Sequence, residues 1–349
     1  MRRLMIVVLA LLATAGGGSL VVWRWAEGQL ADGFAAWRGA MLAHGWTVAT
    51  GPAGSGGWPF AAELTLPDLT VTAGPELPAG AAGDAALVTL RVAFLQPRAL
   101  VARVDGPQSV RYGDDPPLAF TAGRFTVTVS LPSGAPPAAA ALDAAGIRFA
   151  PPAGGLTIGL LEGQAAWHMA AGAGQPAVSV RLSAEAIALP PAPARLLGPN
   201  IASATFESTL TGPLPPPGAP HAMAAAWRDA GGTLDISRLA VGWGPLGVTG
   251  GASLSFDDAM QPTGTARLRL VGYDDALGAL VAGNVLPPHM AQAVKAMLGL
   301  LAAPADGGGA AGVEVPLTLR DQTLAVGMFP LARLPRLLWP DAPGSAKLN

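Results

Sequence analysis

Four histidines, His44, His168, His221 and His289, are the first residues to test for chemistry. They lie far apart, and none has a second histidine or a carboxylate at the spacing a zinc site uses. His168, after Trp167 near the end of a strand pattern, fits a surface or hydrogen-bonded role better than a ligand role. Gly251-Ala252-Ser253-Leu254-Ser255 approaches the nucleophile elbow of serine hydrolases but lacks its second glycine. Neither a Walker loop nor a dinucleotide-binding glycine motif occurs. With no cysteine, the chain has no thiolate nucleophile, no thiolate metal ligand and no disulfide.

Three acidic doublets remain: Asp114-Asp115, Asp257-Asp258 and Asp274-Asp275. Calcium needs several oxygen ligands at loop spacing, and none follows any doublet. The first two read as turn residues and the third as the start of a helix. Trp58, Trp167, Trp227 and Trp243 could line a ligand groove, but isolated tryptophans in strands and turns more often cover a core or an edge. The reading is therefore of a non-enzymatic protein, with no catalytic, cofactor-binding or metal-binding residues. A hydrolase would need its groups assembled from distant positions.

The elements that would position any site are mostly strands. Gly 46 and Pro 34 among 349 residues, with only 13% charged residues, suit short strands joined by turns better than a helical bundle. Hydrophobic residues at 51% oppose disorder, although much of that share is Ala, which buries little area. A net charge of −2 offers no attraction to nucleic acid or to anionic lipid.

The N-terminus carries the strongest topological signal. Met1-Arg2-Arg3 precedes nineteen uncharged residues, Leu4 to Val22. That length matches the roughly 30 Å hydrocarbon core of a bilayer. Trp23 and Trp25 sit where an aromatic belt would lie, and the paired arginines place the N-terminus in the cytoplasm. The expectation is a single pass through the inner membrane by residues 4–22, with the body in the periplasm. The alternative is a signal peptide cleaved near Ala13-Thr14-Ala15, which also exports the body.

The expected organisation is a membrane anchor or signal segment at 1–25, an amphipathic helix at 26–46, a β-rich region at 47–212, a linker at 213–232, a second β-rich region with two helices at 233–340, and a tail at 341–349. In the first helix Leu30, Phe34, Trp37 and Met41 recur at helical spacing, a face suited to packing on a sheet. Alternation then marks strands at 46–48, 64–66, 69–71, 87–94, 118–129, 140–149, 156–168, 177–189 and 201–210. Pro67-Asp68 would break the second from the third. Further strands follow at 234–241, 247–256 and 264–271, then helices at 274–285 and 288–301. Strands 313–319 and 323–326 close the pattern around an Arg320-Asp321-Gln322 turn. Leu239 to Leu246 is echoed at Leu324 to Leu331 with six of eight positions the same, which hints at a repeated strand-then-turn unit. The fold class expected is mainly β with a few helices: an N-terminal transmembrane helix, then an elongated, curved antiparallel sheet or open-barrel-like domain.

These pieces resemble DUF2125, a family of uncharacterised α-proteobacterial envelope proteins. The resemblance rests on the apolar segment with the Trp23 to Trp46 helix, Gly57-Trp58-Pro59-Phe60, Leu239 to Leu246 with the strand after it, and Val315 to Pro335. It implies no catalytic residues. The closing strand, polar turn and strand ending in Gly-x-x-Pro-Leu also look like those of AsmA-like envelope proteins, a likeness of architecture that does not determine function. The expected function is a membrane-anchored periplasmic protein that handles lipid or other apolar cargo, or supports envelope maintenance. The alternative is a scaffold that lends a sheet edge to another envelope protein.

Overall fold

A computed structural model describes residues 2–74, 80–113, 115–132, 137–151, 154–190, 197–216, 218–301 and 312–339, with side chains from residue 19 except at 297, 300 and 301. The architecture is mainly antiparallel β with four helices among these residues, as the alternation predicts. The chain forms two compact units, Met1–Leu142 and Asp143–Asn349.

In the first unit a single helix, α1 (Arg2–Ala43), precedes β1 (Trp46–Ala49), β2 (Gly54–Gly56), β3 (Ala61–Ala73), β4 (Ala82–Ala93), β5 (Ala99–Arg111), β6 (Leu118–Thr121) and β7 (Arg124–Ser130). No break separates the expected anchor from the expected amphipathic helix. No proline occurs before Pro52, so the backbone ladder runs on until Gly45, whose φ of 79° suits a helix C-terminus. The expected membrane span at 4–22 falls mainly on residues 4–18, whose side chains lie outside the described residues. Among the described residues no helix is long and apolar enough to cross a membrane. Leu30 and Phe34 pack, as the spacing predicts, against a core of Leu64, Leu66 and Val88. Trp37 is exposed and leans on the Phe34 ring at 5.7 Å. Trp23 is not a free belt residue: its indole N–H donates to the Gly56 carbonyl at 3.0 Å.

Pro67-Asp68 does not break β3. Asp68 adopts a φ of 52°, and the more buried positions shift from Ala62, Leu64 and Leu66 to Leu69, Val71 and Ala73. Pro67 has no N–H to give, and the neighbouring edge is interrupted there, with β1 pairing beyond it and β2 before it. The Pro67 carbonyl instead accepts from Thr50 Oγ1 and the Gly51 N–H, both at 2.8 Å.

The irregularity runs on across the sheet. No strand is expected at β5, whose middle carries Asp105-Gly106-Pro107. The backbone passes through it, with Gly106 at a φ of 83° and a one-residue register shift against Ala85 and Leu87. On the far side of β5 the expected strand 118–129 divides into β6 and β7, both still paired to β5. A crease thus runs across β3, β4 and β5 and between the short strands that flank them, with the Leu64–Leu66–Val88 core on one side of it.

After β8 (Ala139–Phe149), the second unit contains β9 (Thr157–Trp167), β10 (Pro176–Ala188), β11 (Asn200–Thr211), α2 (Pro220–Asp229), β12 (Leu234–Trp243), β13 (Leu246–Phe256), β14 (Pro262–Val271), α3 (Tyr273–Ala282), α4 (Pro288–Leu301), β15 (Gly312–Arg320), β16 (Thr323–Val326) and β17 (Phe329–Arg333). From β9 onward each strand pairs antiparallel with the next. The segment read as a linker, 213–232, contains α2, and the strands flanking it are direct neighbours. Trp227 of α2 is buried, donates to the Thr211 carbonyl at 2.8 Å, and stands edge-on to Phe256.

Leu298 of α4 packs with Val313, Val315 and Val326. Helical spacing predicts apolar stripes at Leu277, Leu280, Val281 and Val285 and at Met290, Val294, Met297, Leu298 and Leu301; Leu298 is buried and Leu277, Leu280 and Val281 are half-buried. Ala276 and Ala291 are buried, whereas Val285, Met290 and Val294 are exposed, and Met297 and Leu301 carry no described side chain.

The internal echo is not a structural repeat. Gly242 lies inside β12 and the turn falls at Gly244-Pro245, but its counterpart Gly327 is itself in the turn before β17. The two hairpins are offset by two residues. The Asp321-Gln322 turn follows the expectation, with φ of 47° and 62° in a two-residue hairpin between paired Arg320 and Thr323.

Buried Gln261 closes the unit in a way the sequence does not announce. Its side chain accepts from the Leu337 N–H at 2.8 Å and donates to the Leu337 carbonyl at 3.1 Å. Trp339 donates to the Met260 carbonyl and stacks edge-on to Phe256 and His221. The expected tail at 341–349 lies outside the described residues.

Two substitutions test this packing. Leu66→Ala empties the centre of the first core and is expected to cost about 2–5 kcal/mol. Gly232→Ala drives a methyl into the Trp227 ring, and overpacking of that kind costs about 1–3 kcal/mol. Both should lower the denaturation midpoint in chemical unfolding, and an unchanged midpoint would contradict the packing described.

Candidate functional site

On the other side of the crease from the Leu64–Leu66–Val88 core, backbone pairing builds a depression. Register places Val48, Val71, Gly83, Val110 and Leu118 in one row across β1, β3, β4, β5 and β6. Directly paired residues in a sheet share a face, so this row should be a continuous apolar ridge. Gly83 interrupts it. A β-carbon added there would meet only the Ser109 carbonyl oxygen, at 3.9 Å, so the missing side chain leaves open space between Val71 and Val110.

Two residues along each strand return to the same face. Trp46 and Tyr112 thereby extend the walls, and the whole forms a cavity of about 630 Å³ that Pro116 and Leu118 also line. The volume lies within the roughly 300–1,000 Å³ of small-molecule sites. Val110 and Tyr112 are 48% and 65% exposed, so an apolar body seated in the depression would cover them. Arg111 and Asp115 are its charged lining residues. Apolar walls with one cation and one carboxylate can hold an apolar body and orient a polar end. They supply no evident nucleophile and base.

Of the four tryptophans considered, Trp58 is exposed and Trp227 is buried. Trp243 donates to the Gly198 carbonyl at 3.0 Å, and Trp167 ends β9. None lines the depression, whereas Trp46 does. The register row could have been found only with strand pairing in hand.

The histidines stay dispersed. His44 bonds the Ala40 carbonyl one turn back, His221 stacks on Trp339, and His168 and His289 are exposed. Among the described residues no three metal-binding side chains converge. Ser253 donates to Asp235 at 2.6 Å and Ser255 to the Gly232 carbonyl at 3.0 Å, so both serines of the near-elbow serve the strand scaffold. Asp257 caps its own hairpin by accepting from the Gln261 N–H, and Asp274 pairs with Lys295 to join α3 to α4. Asp115 lines the depression, while Asp114 lies outside the described residues.

Residues 23–335 match DUF2125, a family described as "Uncharacterized protein conserved in bacteria". The chain belongs to this family. No curated protein and no solved structure matches it. The DUF2125 match takes in every residue of the depression, the Trp23–Gly56 bond and the Gln261 hairpin, so these features lie within the family region of the chain.

Gly83→Val tests the depression without touching the core. The branched side chain suits a strand and fills the open space, so the thermal midpoint should hold or rise. Binding of a fluorescent apolar probe such as N-phenyl-1-naphthylamine should weaken by about tenfold or more. Equal binding by both proteins would place the probe elsewhere.

Proposed function

We propose that this DUF2125 protein is a non-catalytic, membrane-anchored envelope protein whose first unit holds an acyl chain or similar apolar cargo. The observation that carries the reading is the Val71–Gly83–Val110–Leu118 depression, whose exposed apolar walls match the chemistry of a hydrocarbon. Apolar burial at about 25 cal/mol per Å² would supply the affinity. The anchor part of the proposal rests on Leu4 to Val22 behind Met1-Arg2-Arg3, which puts the N-terminus in the cytoplasm and the body in the periplasm. Cleavage near Ala15 would instead release the body into the periplasm. A relationship of the closing strands to AsmA-like envelope proteins would fit the same lipid-related role.

A second reading, a scaffold for another envelope protein, is favoured by β17. All five residues of Phe329–Arg333 are exposed, and the run of paired strands from β9 ends there. Such a strand can accept a partner strand.

A photoreactive benzoylphenylalanine at Val110, activated in intact cells, separates the two. Adducts whose added mass is a phospholipid or fatty acid support cargo binding. Protein adducts from a probe at Leu331, with none of lipid from Val110, would replace it with the scaffold reading. Protease treatment of spheroplasts should digest the body, and full protection would remove the periplasmic assignment.

A further inference from the structure

At the opposite end of the first unit from the depression, three large apolar side chains stand in water. Trp58 and Phe60 are 53% and 75% exposed on the turn between β2 and β3, and Leu95 is 96% exposed on the turn between β4 and β5. The two turns are adjacent, because the Phe94 N–H donates to the Phe60 carbonyl at 3.0 Å. Neither turn needs these side chains for its own geometry. The first is closed by Ala61 and Phe60 N–H groups bonding to the Gly57 carbonyl, and the second by the Gln96 N–H bonding to Ala93.

Their position relative to α1 gives them a meaning. The helix runs along β3, from the Trp23–Gly56 bond at one end to the Gly74 N–H bonding the Gly45 carbonyl at the other. The Trp58 turn therefore lies level with Trp23, where the uncharged stretch Leu4 to Val22 leaves the unit. Val21, Val22 and Trp25 are exposed on the helix at the same level. Arg98 and Arg24, both exposed and the latter 3.7 Å from the Glu27 carboxylate, flank this surface, where cations can meet phosphate groups.

We propose that Trp58, Phe60 and Leu95 insert into the headgroup–acyl boundary of the bilayer that α1 enters, so that two turns and the helix seat the first unit on the membrane. This rests on the anchor reading above but adds a separate contact. Tryptophan and phenylalanine at an interface gain apolar burial, and the indole N–H keeps a polar partner there. A lipid surface is the occupant because the exposed side chains are continuous with the apolar end of α1. A unit held at three points would keep the far end of α1 and the depression directed away from the bilayer.

The absence of cysteine makes a clean test possible with the full chain. Phe60→Cys, Leu95→Cys, Leu11→Cys and His44→Cys would each be labelled with an environment-sensitive nitrobenzoxadiazole dye. The proteins would be reconstituted in vesicles of phosphatidylethanolamine and phosphatidylglycerol, with or without lipids carrying a nitroxide near the headgroup, for the labels at 44, 60 and 95, or midway along the acyl chain, for the label at 11. His44 is the aqueous control, about 30 Å from Trp23 along the helix at 1.5 Å per residue. Labels at 60 and 95 should be quenched about twofold or more by the nitroxide lipid, as residues at the acyl boundary would be, and the label at 44 should not. Quenching at 11 without quenching at 60 and 95 would overturn the proposal and leave the anchor standing. Quenching at 60 and 95 without quenching at 11 would support the seat and remove the span. No quenching at any site would remove both.

Discussion

Antiparallel backbone pairing is what the rest of this structure depends on, because side chains contribute so little bulk. Among the described residues Leu66 and Val313 are the largest that are fully buried, and many of the other buried apolar residues are alanines. Burial at about 25 cal/mol per Å² makes such a core thin. Each backbone N–H and C=O removed from water still needs a partner, and leaving one unpaired costs more than a satisfied bond gains. The ladder must therefore stay complete even where the sequence inserts a residue that cannot donate. Pro67 shows how this is met: its missing N–H coincides with a gap in the neighbouring edge, and its carbonyl takes two donors from the chain that bridges the gap.

The same constraint accounts for the crease in the first unit. One left-handed aspartate, one bulged glycine, the gap between β1 and β2 and the division between β6 and β7 line up across the hydrogen-bonded strands. Its effect is to divide one sheet between two tasks. On one side large apolar residues meet α1 and make the core. On the other, Gly83 withholds a side chain from an otherwise apolar row and leaves room for something other than protein. Stability and the candidate site are thus kept on separate parts of a single ladder.

The second unit answers the thin core differently. Its ladder is reinforced by local clasps: Trp227 against Gly232, the Asp257 hairpin, and Gln261 gripping the backbone of Leu337. A buried glutamine is costly unless all its polar atoms are used, and here the amide accepts from one N–H and donates to carbonyls. Membership of DUF2125 extends over both units and assigns an activity to neither.

The sequence by itself determined the class, most strand positions and the two C-terminal helices, because period-two alternation and helical spacing are local properties of the chain. It determined the Asp321-Gln322 turn for the same reason. It also showed that no familiar catalytic or metal motif is present, since those motifs are written in short spacings. Only the tertiary structure decided that α1 is continuous, that β5 passes through Asp105-Gly106-Pro107, and that Pro67-Asp68 shifts a strand instead of ending it. A Pro or Gly signals a turn unless the neighbouring strand compensates, and that neighbour is distant in sequence. The depression has the same origin: Val71, Gly83, Val110 and Leu118 meet only through register, a long-range property that no single segment carries. The Gln261 clasp joins residues 76 positions apart, beyond the reach of any local pattern.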